Sequence, residues 1–436
     1  MPYIHTGPAG NPGDQQDLAE LRREAGRLVD GRTYRHGNPF ELWRRMREAA
    51  PVLWHEPGVF PGFWSLTRHD EIKEVLRDAD TFSSSSGILL RPLSQGEDPG
   101  GNRTLALSDP PRHRVLRGAV AGWFAPRNLR LLQAALDASA RRIVEAAVRK
   151  GRFDFVTEVA AQLPVEVVCA FLGIPDEDRP RIIEWSTDAF CAATAEDRSL
   201  AHLEILDYFG DLVERRRADP GEDLVSVLAA VSYEGEPLPL DEVVLNCDNL
   251  LVGGTENVRL AMSGGMLALL DHPDQFEQLR RTIDDDGDGL MESAIDEILR
   301  WTSSATHIVR RTTRDVELGG ERIRRGDLVV CWLTAGNRDP AHFPDPDSFD
   351  IRRSPNRHLA LGAGPHYCVG TQLARLEIRA VLREFLARVD RAVPDGPAER
   401  LESIVVNGLR TLPVRLTSTY AVPAGTGPGT GREGLR

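Results

Sequence analysis

The residue best suited to metal chemistry is Cys368, within the stretch LALGAGPHYCVGTQLARLE at residues 359–377. The glycines and the proline before this cysteine predict a tight loop, and the apolar spacing after it predicts a helix from about Thr371 onward. The cysteine therefore precedes a helix N-terminus, where free N–H groups and the helix dipole stabilise a thiolate. Because the thiolate is the form of cysteine that binds metals, this segment predicts a metal-ligating cysteine.

The other four cysteines, Cys169, Cys191, Cys247 and Cys331, lie in apolar runs without such a loop. We expect them to be buried core residues. An odd number of widely spaced cysteines does not indicate a disulfide framework. A reducing compartment, and hence a cytoplasmic location, is therefore expected.

The longest predicted helix runs from Leu240 to Leu270 and contains glycine pairs at 253–254 and 264–265. Glycine pairs weaken a helix and mark a kink or a close approach to its backbone. We therefore expect another group to lie against the backbone of this helix.

The composition excludes several classes of partner. The 436 residues carry a formal net charge of −13, with 41% hydrophobic and 27% charged residues, as in ordinary globular proteins. An acidic chain argues against nucleic acid or an anionic membrane as the main partner. The sequence contains no apolar run of about 18 residues, which a membrane-spanning helix would require. Residues 1–16 also contain no apolar segment of the kind found in secretion signals. We expect neither nucleic acid nor a membrane as a partner.

A mainly α domain with small β-sheets (α+β) is predicted over residues 17–418. This domain must position Cys368 and the long helix. Residues 1–16 and 419–436 are polar and glycine-rich and predict disordered tails. Residues 88–103 predict a long loop of the kind that often carries function. The predicted early elements are helices at 39–49, 70–78 and 129–150 and strands at 52–55 and 63–66.

The cysteine loop resembles the haem-binding loop of the cytochrome P450 family, which reads Phe-Gly-x-Gly-x-His-x-Cys-x-Gly. Residues 361–370 read LGAGPHYCVG, so Leu361 stands where phenylalanine is usual. The resemblance implies that Cys368 binds the iron of haem b and that Leu361 keeps the surroundings of the sulfur apolar. It also implies the P450 fold, a triangular prism with haem between a long oxygen-binding helix and the helix that follows the cysteine.

Further family motifs occur in order between about residues 38 and 416. Glu297 and Arg300 match the family's Glu-x-x-Arg helix, which implies a buried structural ion pair that supports the haem loop. The resemblance also implies four partners for the haem propionates: His113, Arg117, Arg310 and His366.

The long helix resembles the family's oxygen-binding helix, Ala/Gly-Gly-x-Asp/Glu-Thr, and reads Gly253, Gly254, Thr255, Glu256, Asn257. The resemblance implies that the two glycines leave room for dioxygen and that Glu256 feeds protons toward the site. Asn257 replaces the usual threonine, and an amide cannot relay a proton as a hydroxyl does. Thr255 points about 200° around the helix from Asn257. Our hypothesis is that protons come through ordered water, Glu256 or a substrate hydroxyl; the alternative is that Asn257 serves as well as threonine.

Alignment with the family also implies a substrate pocket, roofed by residues 185–208. Its predicted lining residues are Ile88, Leu89, Asn249, Val252, Thr306 and His307. For His307, a structural hydrogen bond within a strand is an equally strong interpretation.

The implied activity is that of a haem-thiolate monooxygenase that inserts oxygen from dioxygen into a small organic substrate, in natural-product biosynthesis. The chain has neither a dinucleotide-binding fingerprint nor a cysteine cluster, so electrons from NAD(P)H are expected through an external ferredoxin or flavodoxin with its reductase. Six arginines are candidates for a basic docking face, although a solvated surface charge is the better interpretation of each one: Arg112, Arg114, Arg127, Arg130, Arg357 and Arg375. The family default is a monomer, and the substrate could be free or attached to a carrier protein.

Two alternatives stay open. One is a haem-thiolate enzyme of another reaction class, such as oxidative coupling, desaturation or peroxygenation; Glu256 favours dioxygen, because peroxide users need less proton relay. The other is a non-catalytic P450-like module that recruits partners. The second ranks last, because Cys368 and the residues expected to bind propionates are all present.

Overall fold

The computed structural model describes residues 12–191, 195–283 and 289–419. Its helices are α1 (Pro12–Ala25), α2 (Phe40–Ala49), α3 (His69–Arg77), α4 (Arg112–Ala121), α5 (Pro126–Val148), α6 (Gln162–Phe171), α7 (Arg179–Cys191), α8 (Ala195–Ala218), α9 (Leu224–Ala229), α10 (Leu240–Asp271), α11 (Pro273–Arg281), α12 (Leu290–Thr302), α13 (Leu333–Gly336) and α14 (Thr371–Arg388). Helices thus dominate the fold, as the sequence predicts.

The strands are short and form small sheets. They are β1 (Val52–His55), β2 (Phe63–Leu66), β3 (Phe82–Ser83), β4 (Arg152–Asp154), β5 (Ser232–Tyr233), β6 (Glu236–Pro237), β7 (His307–Thr312), β8 (Val316–Leu318), β9 (Glu321–Ile323), β10 (Leu328–Trp332), β11 (Val389–Pro394), β12 (Glu399–Arg400), β13 (Leu409–Thr411) and β14 (Pro413–Thr419). The largest sheet has the order β1-β2-β10-β7-β3, and a second has the order β11-β14-β4. The expected mainly α fold with small β-sheets is confirmed.

The five-stranded sheet is buried on both faces. Along β10, Val330 and Trp332 pack into one apolar cluster with Trp43 of α2, and Val329 and Cys331 pack into another on the opposite face. This division follows from the alternation of side chains along a strand. The sheet therefore gives β7, which carries Arg310, a rigid support.

The main apolar core lies among the helices and includes buried residues of α5, α6, α10, α12 and α14. Helix α5 begins with Pro126 in its first turn, where a missing N–H costs nothing. None of the helices in the described part of the chain combines the length and the apolar character that crossing a bilayer requires.

Helix α10 runs without interruption from Leu240 to Asp271, and its second glycine pair marks the close approach of another helix. A Cβ on Gly264 would lie 2.7 Å from Thr302 of α12, and one on Gly265 would lie 2.6 Å from Ile298. The second glycine pair therefore lets α12 pack directly against the backbone of α10.

The predicted early elements agree with the structure to within three residues. At the ends, α1 begins at Pro12, inside the segment 1–16 that was expected to be a tail, and β14 ends at Thr419. Residues 1–11 and 420–436 lie outside the described residues.

Candidate functional site

The shape of the cysteine loop is set by its own backbone. The N–H of Cys368 donates to the carbonyl of Leu361 at 3.0 Å. Gly362 and Gly364 have φ angles of +73° and +70°, which favour glycine. A Cβ on Gly364 would also lie 2.5 Å from the carbonyl oxygen of Leu76 in α3. The loop therefore requires its glycines, and it is packed directly on α3.

Cys368 lies three residues before the first residue of α14, as predicted. The Thr371 hydroxyl donates to the Cys368 carbonyl at 2.7 Å. Burial raises the pKa of the Cys368 thiol, although the Gly370 N–H, Thr371 and the charge of Arg117 act in the opposite direction. The helix N-terminus alone thus does not favour the thiolate. Since a metal ion deprotonates a thiol that it binds, the site fits a thiolate held by a metal.

A cluster of imidazole and guanidinium side chains lies close to this loop. His113 and Arg310 are 2% and 3% exposed, and the His113 ring lies 4.2 Å from that of His366. Neither ring nitrogen of His113 has a hydrogen-bond partner among the described residues. Arg310 donates to the Val309 carbonyl at 2.9 Å and forms no ion pair with a carboxylate in the described part of the chain. The buried nitrogen donors of His113 and Arg310 therefore have no anionic partner among the described residues.

The charges in this cluster act on one another. Burial, followed by the charges of Arg310, His113 and Arg117, lowers the pKa of His366 to about 3. Burial and the charge of Arg117 lower the pKa of His113 as well. The structure therefore brings together all four residues that the sequence predicted as propionate partners. A buried guanidinium without a counter-charge is costly, and Arg310 is in that position among the described residues. These four side chains would therefore fit the two propionates of a haem held by Cys368.

The first glycine pair of α10 has two different surroundings. A Cβ on Gly253 would meet no atom within 4 Å, whereas one on Gly254 would lie 2.7 Å from Val168 of α6. Asn257 is one turn after Gly253 and shares its face. The Oδ1 atom of Asn257 is buried without a hydrogen-bond partner among the described residues. Gly253 and Asn257 therefore mark an open, polar position on α10, and Gly254 serves helix packing.

The carboxylate of Glu256 is paired with an arginine of the same helix. Its carboxylate forms a buried ion pair with Arg259, whose Nε donates to it at 2.9 Å, and Arg259 also donates to the Leu409 carbonyl at 3.1 Å. The predicted proton role of Glu256 would therefore require this ion pair to open. Sequence analysis missed Arg259, although the Glu-x-x-Arg spacing at 256–259 was a usable signal. Thr255 is occupied as well, since its hydroxyl donates to the Leu251 carbonyl at 2.8 Å.

Glu297 and Arg300 form a fully buried ion pair, with both side chains 0% exposed. Two arginine nitrogens donate to the carboxylate at 2.8 Å, and Arg353 donates to it at 3.2 Å. Arg300 also binds the carbonyl of Asn337 at 2.9 Å, and the Asn337 side chain accepts from the N–H of Leu359 at 2.7 Å. The pair thus connects α12 to the segment that leads into the cysteine loop.

His307 does not offer a free ring nitrogen to a substrate. The side chain is fully buried, its Nδ1 lies 2.9 Å from the Ile404 carbonyl, and its Nε2 accepts from the N–H of Leu90 at 3.0 Å. Burial lowers the pKa of His307 to about 4. These hydrogen bonds favour the structural interpretation of His307, and its contact with a substrate stays a prediction.

The other predicted pocket residues lie on three separate segments of the chain. Asn249 and Val252 lie on α10 near Gly253 and are half-buried. The Ile88 carbonyl accepts from the N–H of Val309 in β7 at 2.8 Å, and Leu89 is 36% exposed. Thr306 is buried, and its hydroxyl has no partner among the described residues. Their contact with a substrate stays a prediction.

Comparisons with known proteins agree with this geometry. The sequence model of the cytochrome P450 family matches residues 179–408. Cytochrome P450 NovI of Streptomyces niveus is 36% identical over 383 residues, covering 86% of this chain and 93% of that protein. A steroid C26-monooxygenase of Mycolicibacterium smegmatis is 32% identical over 407 residues, covering 90% and 94%. The crystal structure of P450 OxyD, which is involved in the biosynthesis of vancomycin-type antibiotics, has a TM-score of 0.80 at 36% identity, covering 89% of this chain and 99% of that one.

Proposed function

Because the chain belongs to the cytochrome P450 family and is a P450 monooxygenase, we propose that it oxygenates a small organic molecule in natural-product biosynthesis. The observation that carries the oxygenase chemistry is the cysteine loop beside the buried side chains of His113 and Arg310, which have no anionic partner among the described residues. The similarity to P450 OxyD supports the assignment to natural-product biosynthesis. The steroid monooxygenases, at 32% identity, make steroids the competing substrate class.

When bound, haem supplies the redox chemistry that activates dioxygen, with Cys368 as its thiolate ligand. We assign its propionates to His113, Arg117, Arg310 and His366, the cluster of mutually repelling side chains described above. Helix α10 contributes shape, since Gly253 leaves an open space where any other residue would place a side chain. The protein thus positions the reactants and controls water and protons around them.

Proton delivery rests on Asn257 in this proposal. Its buried Oδ1 can accept a hydrogen bond from an ordered water or a substrate hydroxyl, and its NH₂ can donate one. Glu256 is paired with Arg259, and the Thr255 hydroxyl is bound to Leu251. The side chain itself cannot relay a proton, so Asn257 orients the group that does.

The substrate class can be tested by supplying the haem-loaded enzyme with NADPH, a ferredoxin and a ferredoxin reductase. The substrates would be two matched panels, aromatic or macrocyclic natural products and steroids, under ¹⁸O₂. We expect substrate-induced spectral shifts and products carrying one labelled oxygen from the first panel. Turnover confined to steroids would refute the assignment to natural products. A reduced, carbon monoxide-bound spectrum of the histidine-ligated type would refute ligation by Cys368.

The electron donor is proposed to be a ferredoxin or a flavodoxin. Of the six arginines considered for docking, Arg112 pairs with Glu242, and Arg375 pairs with Asp296 and Glu292. The exposed members are Arg114, Arg127, Arg130 and Arg357. These four are the better candidates for binding an acidic partner, and their substitution should raise KM for the donor protein without altering substrate binding. A cytoplasmic location is proposed as well, because Cys169, Cys247 and Cys331 are buried and form no disulfide.

Asn257 also supports a second candidate function, a haem-thiolate reaction such as oxidative coupling or desaturation, in which no oxygen is transferred. The variant Asn257→Thr restores the hydroxyl that is usual in the family. If Asn257 sets proton delivery, product formed per NADPH consumed should change with the native substrate. Unchanged coupling would contradict that role, and an unlabelled product under ¹⁸O₂ would establish the second candidate.

A further inference from the structure

We propose that His69, Asp70 and His342 form a binding site for a divalent transition-metal ion, best suited to Zn²⁺. The site is separate from the haem loop and joins the start of α3 to the segment that follows α13. It does not depend on the oxygenation chemistry proposed above.

The three side chains already lie at the spacing that one ion requires. Their potential ligand atoms all lie within 4.8 Å of one another. One carboxylate oxygen of Asp70 lies 3.0 Å from Nε2 of His342 and 3.9 Å from Nδ1 of His69. Zn–N and Zn–O bonds of about 2.1 Å place tetrahedral ligands about 3.4 Å apart. The two distances to Asp70 therefore lie within about 0.5 Å of the tetrahedral spacing, and the distance between the two imidazole nitrogens is at most 4.8 Å.

The orientation of His69 is that of a metal ligand. Its side chain is 1% exposed, and its Nε2 lies 2.9 Å from the carbonyl oxygen of Arg357, to which it donates. Nδ1 then carries the lone pair, and this buried atom has no hydrogen-bond partner among the described residues. Histidines that bind metals commonly donate their other N–H to a carbonyl or a carboxylate.

Hydrogen bonding alone does not account for the cluster. The contact between His342 and Asp70 satisfies those two side chains but leaves Nδ1 of His69 without a donor. The two imidazole rings are stacked, with centroids 3.9 Å apart, so the partly exposed His342 ring would have to rotate for both nitrogens to face one ion. An ion would fill the missing position.

The ligand set selects the class of ion. Two imidazoles and one carboxylate suit zinc and its neighbours, whereas calcium and magnesium prefer oxygen ligands alone. Asp70 and His342 are 75% and 26% exposed at the side chain, which leaves an entry path and room for water as a fourth ligand.

The bound ion would connect elements that support the cysteine loop. Gly364 of that loop packs on α3, the N–H of His69 donates to Asp339 at 2.9 Å, and Nε2 of His69 holds the carbonyl of Arg357. We therefore expect zinc to raise the melting temperature of the haem-loaded protein, because a ligand that binds only the folded state stabilises it.

The test uses the full-length, haem-loaded protein after chelator treatment, titrated with ZnCl₂ by calorimetry. Asp70→Asn and His342→Gln each weaken one ligand and keep the size of the side chain. The matched control is His36→Gln at an exposed histidine outside the cluster. We expect one equivalent of zinc in the wild type and in the control, and affinity at least tenfold lower in both cluster variants. Equal affinity in all four proteins, or no stoichiometric binding, would overturn the site.

Zinc-edge X-ray absorption on the wild type decides the question even if a variant fails to fold. Two imidazole nitrogens with oxygen ligands would support the proposal, and a sulfur ligand would overturn it by placing zinc on a cysteine. The carbon monoxide spectrum of each protein reports the haem-thiolate site separately, so a failure of the zinc site is distinguishable from a failure of the oxygenase.

Discussion

Replacing Glu297 by glutamine should destabilise the protein strongly. The change removes the charge that faces Arg300 and Arg353, which are 0% and 8% exposed at the side chain. Removing one partner of a buried ion pair typically costs about 3 to 5 kcal/mol. The unfolding entropy of about 2.1 cal/mol/K per residue gives roughly 0.9 kcal/mol/K for 436 residues. The expected fall in melting temperature is therefore about 3 to 5 °C.

Glu277→Gln is the matched control, because Glu277 forms the same i,i+3 pair with Arg280 at a more exposed position, 33% and 18% exposed at the side chains. Such a pair contributes roughly 0 to 1 kcal/mol, so its loss should shift the melting temperature by about 1 °C or less. Both variants would be followed by circular dichroism and by haem absorbance at one scan rate. Equal shifts for the two variants would refute the reasoning that burial makes Glu297 critical.

Three further predictions concern the site and the helix and strand that carry it. Gly254→Ala should cost about 1 to 3 kcal/mol of stability through its clash with α6, whereas Gly253→Ala should leave thermal stability intact and lower turnover. A larger loss of stability in Gly253→Ala than in Gly254→Ala would contradict the contacts described for the two glycines. The pKa of His307 falls from 6.5 to about 4 on folding, so its contribution to stability is complete above pH 6.5 and is lost as the pH falls toward 4. The free energy of unfolding, measured with urea at several pH values in this range, should therefore depend less steeply on pH in His307→Gln than in the wild type. An equally steep pH dependence in both proteins would refute the assignment. Arg310→Ala should speed haem transfer to an apoglobin acceptor, and Arg311→Ala, at the exposed neighbouring position on β7, should not; equal rates would remove Arg310 from the propionate site.

Local spacing allowed much of the site to be predicted. The cysteine loop, the helix after it and the i,i+3 pair of Glu297 and Arg300 depend on residues that are close in sequence, and the structure places them as expected. The same holds for the glycine pairs of α10, because the absence of a Cβ is a property of the residue itself. Periodicity predicted the elements for the same reason, since it reports which face of each element is buried.

Partners that are distant in sequence were not predictable in this way. Nothing local indicates that the Glu256–Arg259 pair is anchored to Leu409, or that His307 binds both Leu90 and Ile404. These contacts depend on how helices and strands pack, which a single sequence does not report.

The sequence by itself determined the chemistry available to this protein, through one cysteine in a glycine loop and a set of cationic residues in family order. Only the tertiary structure decided which of these groups are free to act. Within the described ranges, packing leaves His113 and Arg310 buried without an anionic partner. It pairs the carboxylate of Glu256 with Arg259. The physical reason is that a polar group becomes reactive or inert according to the partners and the solvent that folding leaves to it.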